Sequence, residues 1–355
     1  MLLRNDQHPA KIRFGLVIQG PTNSFGLSGG QFGKGKYSQS LETLTNMDCR
    51  QNVLELAQKA IDYFDHVIVS TWRSPGLEKF ANSLPAKVDF LMLDDPGGRP
   101  GKYIGSGYQE SNFYSNNKVR QFFGLEAALI KMQEKSIDVT AKLRTDQNLD
   151  LEMLRLELDM LYKSGTEVIF FVPYFLKSVP WAIPDFYLAG NTERFLVLSK
   201  FMQTSFEFHA NVHRDLFFKG SLIGDPVMSS NVFSMLHRRV DKVTEKEAEL
   251  IHSLLSFWSS GSFELFQSLT WRNEKVSFER QKLIFKRDEI EIESMPTVPD
   301  GNVEIDFIKV IKTLFGLNLQ GILTLKIEAL FFSIHRKLGA LMRKLLHLVK
   351  RGRYY

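Results

Sequence analysis

Lys142, Arg144, Thr145 and Asp146 set two cations, a hydroxyl and a carboxylate within five residues. They close a short β-branched and apolar run, Val139 to Arg144, that reads as a strand. Alternation along a strand puts Lys142 and Arg144 on one face. Ligands of open α/β sheets lie outside the carboxyl ends of the strands. Chemistry on a phosphate-bearing ligand would therefore be placed here. The cations would meet a diphosphate, and Asp146 would hold a divalent cation, Mn²⁺ or Mg²⁺, bridging its oxygens. The plainer alternative is that Asp146 caps the following turn.

Other strand-like runs end in the same way. Ile12 to Ile18 stops at Gln19-Gly20-Pro21, Val67 to Val69 at Ser70-Thr71-Trp72, and Val88 to Leu93 at Asp94-Asp95-Pro96-Gly97. Asn116 and Asn117, with Lys118, Arg120 and Gln121, open the helix that precedes the Val139 strand. Free N–H groups at a helix start suit an anionic ligand, or the asparagine is an ordinary cap. Asp185 stands among Trp181, Phe186 and Tyr187; apolar surroundings raise a carboxyl pKa and suit a general base, though an Asp after Pro184 also fits a turn.

These residues need a frame of alternating strands and helices. Helical periodicity covers Gln51 to Tyr63, Leu77 to Ser83, about Asn117 to Lys135 and Leu151 to Lys163, with a further stretch at Leu41 to Leu44. Leu125, Ala128, Leu129 and Met132 share one helix face. Val168 to Val172 reads as the next strand. The alternation predicts a Rossmann-type α/β fold, a mainly parallel sheet with helices on both faces. From Pro173 the pattern becomes aromatic (Phe175, Trp181, Phe186, Tyr187, Phe201, Phe206, Phe208) and reads as a substrate-facing lid. Glu245 to Trp258 reads as a helix and Phe278 to Ile292 as one or two strands.

Composition sets outer limits. The 355 residues carry a net charge of +5, with 44% hydrophobic and 24% charged residues, as in an ordinary globular protein. Cys49, the single cysteine, excludes an internal disulfide, fits a reducing compartment and reads as a small buried hydrophobe more than a reactive thiol. Among the eight histidines, His209 and His213 come nearest to metal spacing, on a strand-like stretch. The start of the chain reads as lacking a signal peptide, and no apolar window suits a membrane span.

Gly30 to Tyr37 almost spells G-x-x-x-x-G-K-[ST], but Tyr37 takes the metal-binding hydroxyl position and the first strand ends about a dozen residues too early. The loop from Gly26 to Lys36 reads as a mobile Gly-rich active-site loop or an inert surface loop. No G-x-G-x-x-G follows a strand, which leaves a dinucleotide cofactor without support.

Residues 296–302 read as a linker. Beyond them Leu323, Ile327, Leu330, Phe331, Ile334, Leu338, Leu341, Leu345 and Leu348 form one apolar stripe. Seven cations from Arg336 to Arg353 follow the last acidic residue, Glu328. Such a helix lies on an anionic membrane surface, each cation contributing about 1 kcal/mol, or it docks on the protein's own core. Without interleaved aromatics the tail does not suit nucleic acid.

Six segments occur in a recognisable order: Val17 to Pro21, Val69 to Trp72, Asp94 to Gly97, Arg120-Gln121 with Gly124-Leu125, Ala141 to Asp146, and Asp185 to Gly190. Over residues 12 to 215 the chain resembles the WavE lipopolysaccharide-synthesis family. The resemblance implies a GT-A-like fold and a glycosyltransferase that takes a nucleotide-sugar donor and a glycan or lipid-linked glycan acceptor. It places Gln19, Gly20, Pro21, Asp94 and Asp95 around the nucleotide, and Arg120 and Gln121 toward the sugar or diphosphate. Arg144-Thr145-Asp146 falls where such enzymes keep a DxD metal motif, with arginine in place of the first aspartate. Asp185 falls on the acceptor side.

The sequence therefore predicts a catalytic domain over residues 1–295, with its acceptor side at about 173–295, and a basic amphipathic tail over residues 303–355. Asp185, Asp146 and Arg144 are the expected catalytic residues, Asp146 the expected metal ligand. Gln19, Gly20, Pro21, Thr71, Asp94, Asp95, Asn117, Arg120, Gln121, Lys142 and Thr145 are the expected donor-binding residues. The expected location is cytoplasmic, on the inner face of the membrane. A sugar-phosphate nucleotidyltransferase and a non-catalytic nucleotide- or glycan-binding protein are the rival readings.

Overall fold

The computed structural model describes residues 11–26, 45–96, 113–164, 168–177, 179–203, 212–224, 244–276 and 283–291. The expectations for the loop from Gly26, the Leu41 to Leu44 helix, Phe206, Phe208, His209, the linker and the tail lie outside these residues.

The strands are β1 (Phe14–Gln19), β2 (Asn23–Gly26), β3 (Thr45–Asp48), β4 (His66–Trp72), β5 (Val88–Leu93), β6 (Val139–Arg144) and β7 (Gln147–Asn148). Then come β8 (Phe170–Val172), β9 (Phe175–Leu176), β10 (Leu188–Asn191), β11 (Trp258–Ser260), β12 (Thr270–Trp271), β13 (Glu274–Lys275) and β14 (Leu283–Ile284). The helices are α1 (Arg50–Tyr63), α2 (Leu77–Ala81), α3 (Phe113–Glu134), α4 (Leu151–Lys163), α5 (Thr192–Met202), α6 (Val212–Gly224), α7 (Glu245–Leu254) and α8 (Phe263–Ser268).

Seven strands form the main sheet, in the order β11-β8-β10-β6-β1-β4-β5. All neighbours pair in parallel except β10, which runs antiparallel to both β6 and β8. Every residue of β1 is buried, as a central parallel strand covered on both faces must be. Its side chains alternate between two cores. Val17, with Ile68 of β4, packs against Phe122, Leu125, Leu129 and Met132 of α3. Leu16 and Ile18 join Val67, Val69, Ala141 and Leu143 against Val53, Leu56 and Ala57 of α1 and Leu154 and Leu158 of α4. The apolar face predicted for the helix before β6 is thus the face that covers the sheet.

Counted along the chain within this sheet, the strand order from the β5 edge is 3-2-1-4-6-5-7. The first four positions match the doubly wound order, and the direction of winding reverses between β1 and β6. Gln19 and Arg144 are paired across that reversal, so the chain leaves the sheet on both sides of one crevice.

Several expectations are corrected. Helix α3 starts at Phe113, so the backbone N–H of Asn117 lies past the first turn and inside the helical ladder, unable to serve a ligand. The described part of the aromatic region is core and no lid. Phe175, Trp181, Phe186 and Tyr187 are all buried, and the region returns to the main sheet through β10. The stretch read as a helix to Trp258 ends at Leu254, passes through a 3-10 turn, and gives β11 to the sheet edge. His213 sits on helix α6, not on a strand. The segment after residue 282 has a two-residue strand and a 3-10 turn.

Candidate functional site

The tips of β1 and β6 are tied together by short bonds. The Thr145 amide donates to the Gln19 carbonyl at 3.1 Å, and its hydroxyl donates to the Pro21 carbonyl at 2.7 Å. Gly20 has φ of +145°, and a Cβ there would come within 2.6 Å of Thr145 Oγ1, so this crossing requires glycine. Asn52 of α1 braces the turn from below, its side-chain amide donating at 2.8 Å to the Thr145 and Gln147 carbonyls. Gln19, Gly20, Pro21 and Thr145 therefore meet at one point. Gln19 Oε1 there and Thr71 Oγ1 at the tip of β4 are buried, with no hydrogen-bond partner among the described residues. Buried polar atoms without partners are uncommon and call for a ligand or ordered water.

Asp146 lies just inside this point. Its side chain is 2% exposed, and it draws in its neighbour Arg144 and two segments remote in sequence. Arg144 binds it with Nε and Nη2, both at 3.0 Å. The Ser24 hydroxyl of β2 donates at 2.6 Å, and the Trp271 indole at 3.1 Å. Arg272 Nη2 stands 3.2 Å away, and its backbone amide donates to the Asp146 carbonyl at 2.8 Å. Burial acts to raise the Asp146 pKa, but the two arginines and Ser24 outweigh it and hold the carboxyl at about 2.

Trp271 and Arg272 are site residues that the sequence reading missed. They come from the tight hairpin β12–β13, where Arg272 and Asn273 have φ of 49° and 63°. Two-residue hairpins demand positive φ at both central positions, which Asn tolerates and Arg rarely takes. Strand β12 pairs with β7, directly after Asp146. The guanidinium carbons of Arg272 and Arg144 lie 4.8 Å and 5.7 Å from the Trp271 ring centre, within cation–π range. Asn273 in a short polar break was the one local signal for a turn; nothing local tied it to Asp146.

A second cluster sits on the α3 side of β6. Lys142 is buried, and its Nζ donates to the Asp185 backbone carbonyl at 3.2 Å. In the amide orientation its neighbours select, Gln121 accepts from Lys142 Nζ at 2.5 Å and donates to Asp185 Oδ2 at 3.2 Å. Burial pushes the Lys142 amine down to about 8, against the opposing pull of Asp185. His213 Nδ1 donates to the Ile183 carbonyl at 2.9 Å and lies 4.0 Å from Asp185 Oδ1.

The Asp185 side chain is 22% exposed. Its aromatic surroundings predict a raised carboxyl pKa, but the structure shows the opposite. Burial does act upward, yet His213, Lys142 and Arg144 together hold it below the ordinary carboxylate value. Asp185 is thus ionised at neutral pH and able to accept a proton, though as a weaker base than its apolar neighbours suggest.

The remaining expected residues lie toward the β5 edge. Asp94, 82% exposed, pairs with Arg73 at 2.7 Å, and Asp95 pairs with Arg120 at 2.8 Å. Arg120 is therefore held by a carboxylate at the tip of β5, while Gln121, the next residue, faces the Lys142 cluster.

Residues that would hold a divalent cation were tested on their donor chemistry. No group of three or more His, Cys, Asp or Glu side chains gathers at metal-binding spacing among the described residues. Asp146, the expected ligand, already accepts from one guanidinium, an indole and a hydroxyl and pairs with a second guanidinium, and does not fit a cation in this arrangement.

No family model and no curated protein matches the chain in sequence. Several solved structures overlap it in part. A cytidylyltransferase from Leptospira borgpetersenii does so over 53% of this chain and 64% of its own, at 14% identity and a TM-score of 0.28. A structure named as a nucleotide-diphospho-sugar transferase from Desulfovibrio desulfuricans covers 70% and 99%, at 11% identity and a TM-score of 0.36. Glucosyl-3-phosphoglycerate synthase from Mycobacterium tuberculosis, solved with Mn²⁺, uridine diphosphate and glucosyl-3-phosphoglycerate, covers 70% and 80%, at 12% identity and a TM-score of 0.33. Overlaps of this size assign no activity to this chain; its topology rests on its own strand order. No helix among the described residues is long and apolar enough to cross a membrane.

Proposed function

We propose that this protein is a glycosyltransferase that moves a sugar from a nucleotide-sugar donor to a growing cell-surface glycan, lipopolysaccharide or a related polysaccharide. The observation that carries the reading is the crevice at the β1/β6 reversal. Gln19 Oε1, a buried polar atom without a partner among the described residues, belongs to the strand-tip residue paired with Arg144, whose side chain is 30% exposed. The ordered WavE-like motifs run through these tips and add the same donor class.

In this reading the nucleotide lies between Gln19-Gly20-Pro21 and the Asp94-Asp95 tip, with Arg120 on the β5 side. The diphosphate lies against Arg144 and Thr145, and Lys142 adds positive charge from beneath. An acceptor hydroxyl gives its proton to the Asp185 carboxylate while its oxygen bonds to the anomeric carbon. The bond from that carbon to the diphosphate oxygen breaks, and its electron pair leaves with the nucleoside diphosphate. Charge developing on that leaving group is met by Arg144. The tail over residues 303–355 would hold the enzyme on the inner face of the membrane, where a lipid-linked acceptor resides.

A sugar-phosphate nucleotidyltransferase is the second reading, since a crevice with an arginine edge and a buried lysine meets a triphosphate as readily as a diphosphate. Thermal-shift screening of nucleotides, nucleotide sugars and nucleoside triphosphates, followed by product analysis, separates the two. A ligand at a hundred times its Kd adds about 2.7 kcal/mol of stability. Stabilisation by a nucleotide sugar with sugar transfer supports the proposal. Consumption of a triphosphate and a sugar phosphate supports the second reading. Binding without any turnover indicates a non-catalytic binder, and no shift with any ligand rejects the nucleotide reading altogether.

A further inference from the structure

The Asp146 carboxylate faces more donors than it has places for. Oδ1 accepts from Arg144 Nε at 3.0 Å. Oδ2 is approached by Ser24 Oγ at 2.6 Å, Arg144 Nη2 at 3.0 Å, Trp271 Nε1 at 3.1 Å and Arg272 Nη2 at 3.2 Å. Each carboxylate oxygen offers about two lone-pair sites, so Oδ2 is crowded by four donors, while Oδ1 accepts one and lies against the Arg144 guanidinium. A Mg²⁺-sized ion needs a ligand oxygen at about 2.1 Å and several waters around it. Reaching this buried oxygen would mean displacing a guanidinium and then sitting beside two of them.

Resting on the nucleotide reading above, we infer that Asp146 binds no metal and instead clamps Arg144 and Arg272 around Trp271, forming a metal-independent site for the diphosphate. Two cations against one carboxylate leave the cluster net positive. Arg144 spends Nε and Nη2 on Asp146, and Nη1 has no partner among the described residues. Its side chain is 30% exposed, so the edge away from Asp146 is presented to a ligand. Arg272 is buried, holds Ser24 through Nε and Nη2 at 3.1 and 2.9 Å, and supports the cluster from behind. The uncommon positive φ at Arg272 belongs with this arrangement, because strained backbone persists where the surroundings over-determine it. Asp146 and Arg272 are thus positioning residues, and Arg144 is the group that touches the ligand.

Calorimetric titration of the full chain with UDP, GDP, CDP and ADP, once with EDTA and once with Mn²⁺, tests this. The expected result is that the nucleotide that binds does so in both buffers, with dissociation constants within about threefold. Arg144→Gln is expected to weaken that diphosphate by about tenfold or more and to leave the corresponding nucleoside within about threefold. Binding that requires Mn²⁺, or that tightens more than about tenfold with it, overturns the inference while leaving the nucleotide reading intact. Unchanged diphosphate affinity in Arg144→Gln overturns the arginine's role. Absence of binding by all four nucleotides in both buffers removes the nucleotide reading, and this inference falls with it.

Discussion

Replacing Asp146 with alanine leaves two guanidiniums, an indole N–H and a hydroxyl facing an empty site. Arg272 suffers most, because its side chain is 5% exposed and water cannot replace its partner. Breaking a buried ion pair from one side costs about 3–5 kcal/mol, and for a domain of this size each kcal/mol moves Tm by about 2 °C. Asp146→Ala should therefore lower Tm by roughly 6–10 °C in differential scanning calorimetry. Asp146→Asn separates charge from shape. The carboxyl lies at about 2 in the folded protein against 3.8 otherwise, which corresponds to about 2 kcal/mol. Since the folded value is the lower one, this stabilisation is complete above about pH 4 and vanishes as pH falls through about 2. The gap in urea stability between wild type and Asp146→Asn should be full at neutral pH and narrow steadily below about pH 4. A Tm within about 2 °C of wild type for the alanine variant, or a gap insensitive to acid, would refute the view that Asp146 organises the arginines.

Lys142→Met should remove a second rise of stability with pH, in an alkaline window. Burial lowers its folded pKa from 10.5 to about 8, so the wild type should gain about 3 kcal/mol over the variant between about pH 8 and pH 10.5, read from urea midpoints. Gly20→Ala should lose roughly 1–3 kcal/mol from its φ of +145° and the contact with Thr145 Oγ1. Adding Thr145→Ala should recover only the contact part, and full recovery in urea unfolding would show that the backbone is unstrained. Cys49, buried and pushed up to about 11, should react with iodoacetamide about a hundredfold more slowly in the native protein than in urea at pH 8; equal rates would contradict its burial.

The sequence carries the local parts of this design and not the remote ones. Helix α4 runs over the predicted residues because its apolar spacing and the Asp150 cap agree; the cap accepts from the Met153 amide at 2.9 Å. Strand β6 was equally plain, since a buried apolar run ending on Arg144 admits few alternatives. Strand β11 was illegible: Trp258-Ser259-Ser260 has no alternation, and only its pairing with β8 makes it a strand. Asp185 shows the same divide, for neighbours in sequence suggest an apolar carboxyl while His213 and Lys142 arrive from other elements and reverse the sign. Helix α3 began early because the reading took asparagine as a cap, and the helix runs straight through it.

The contact between Arg272 and Ser24 joins residues 248 positions apart in the chain. Synthesis at about 5–20 residues per second separates the emergence of these two partners by roughly 12–50 s. In the later half of that interval Asp146 has met Arg144 but not the hairpin, and the newly made crevice can take shape only in outline. Such distant closure costs loop entropy before its contacts form, which slows folding. The last piece of this anion cradle to leave the ribosome is the one that completes it, so a nascent chain stalled before Thr270 has the sheet and its exposed arginine without the clamp.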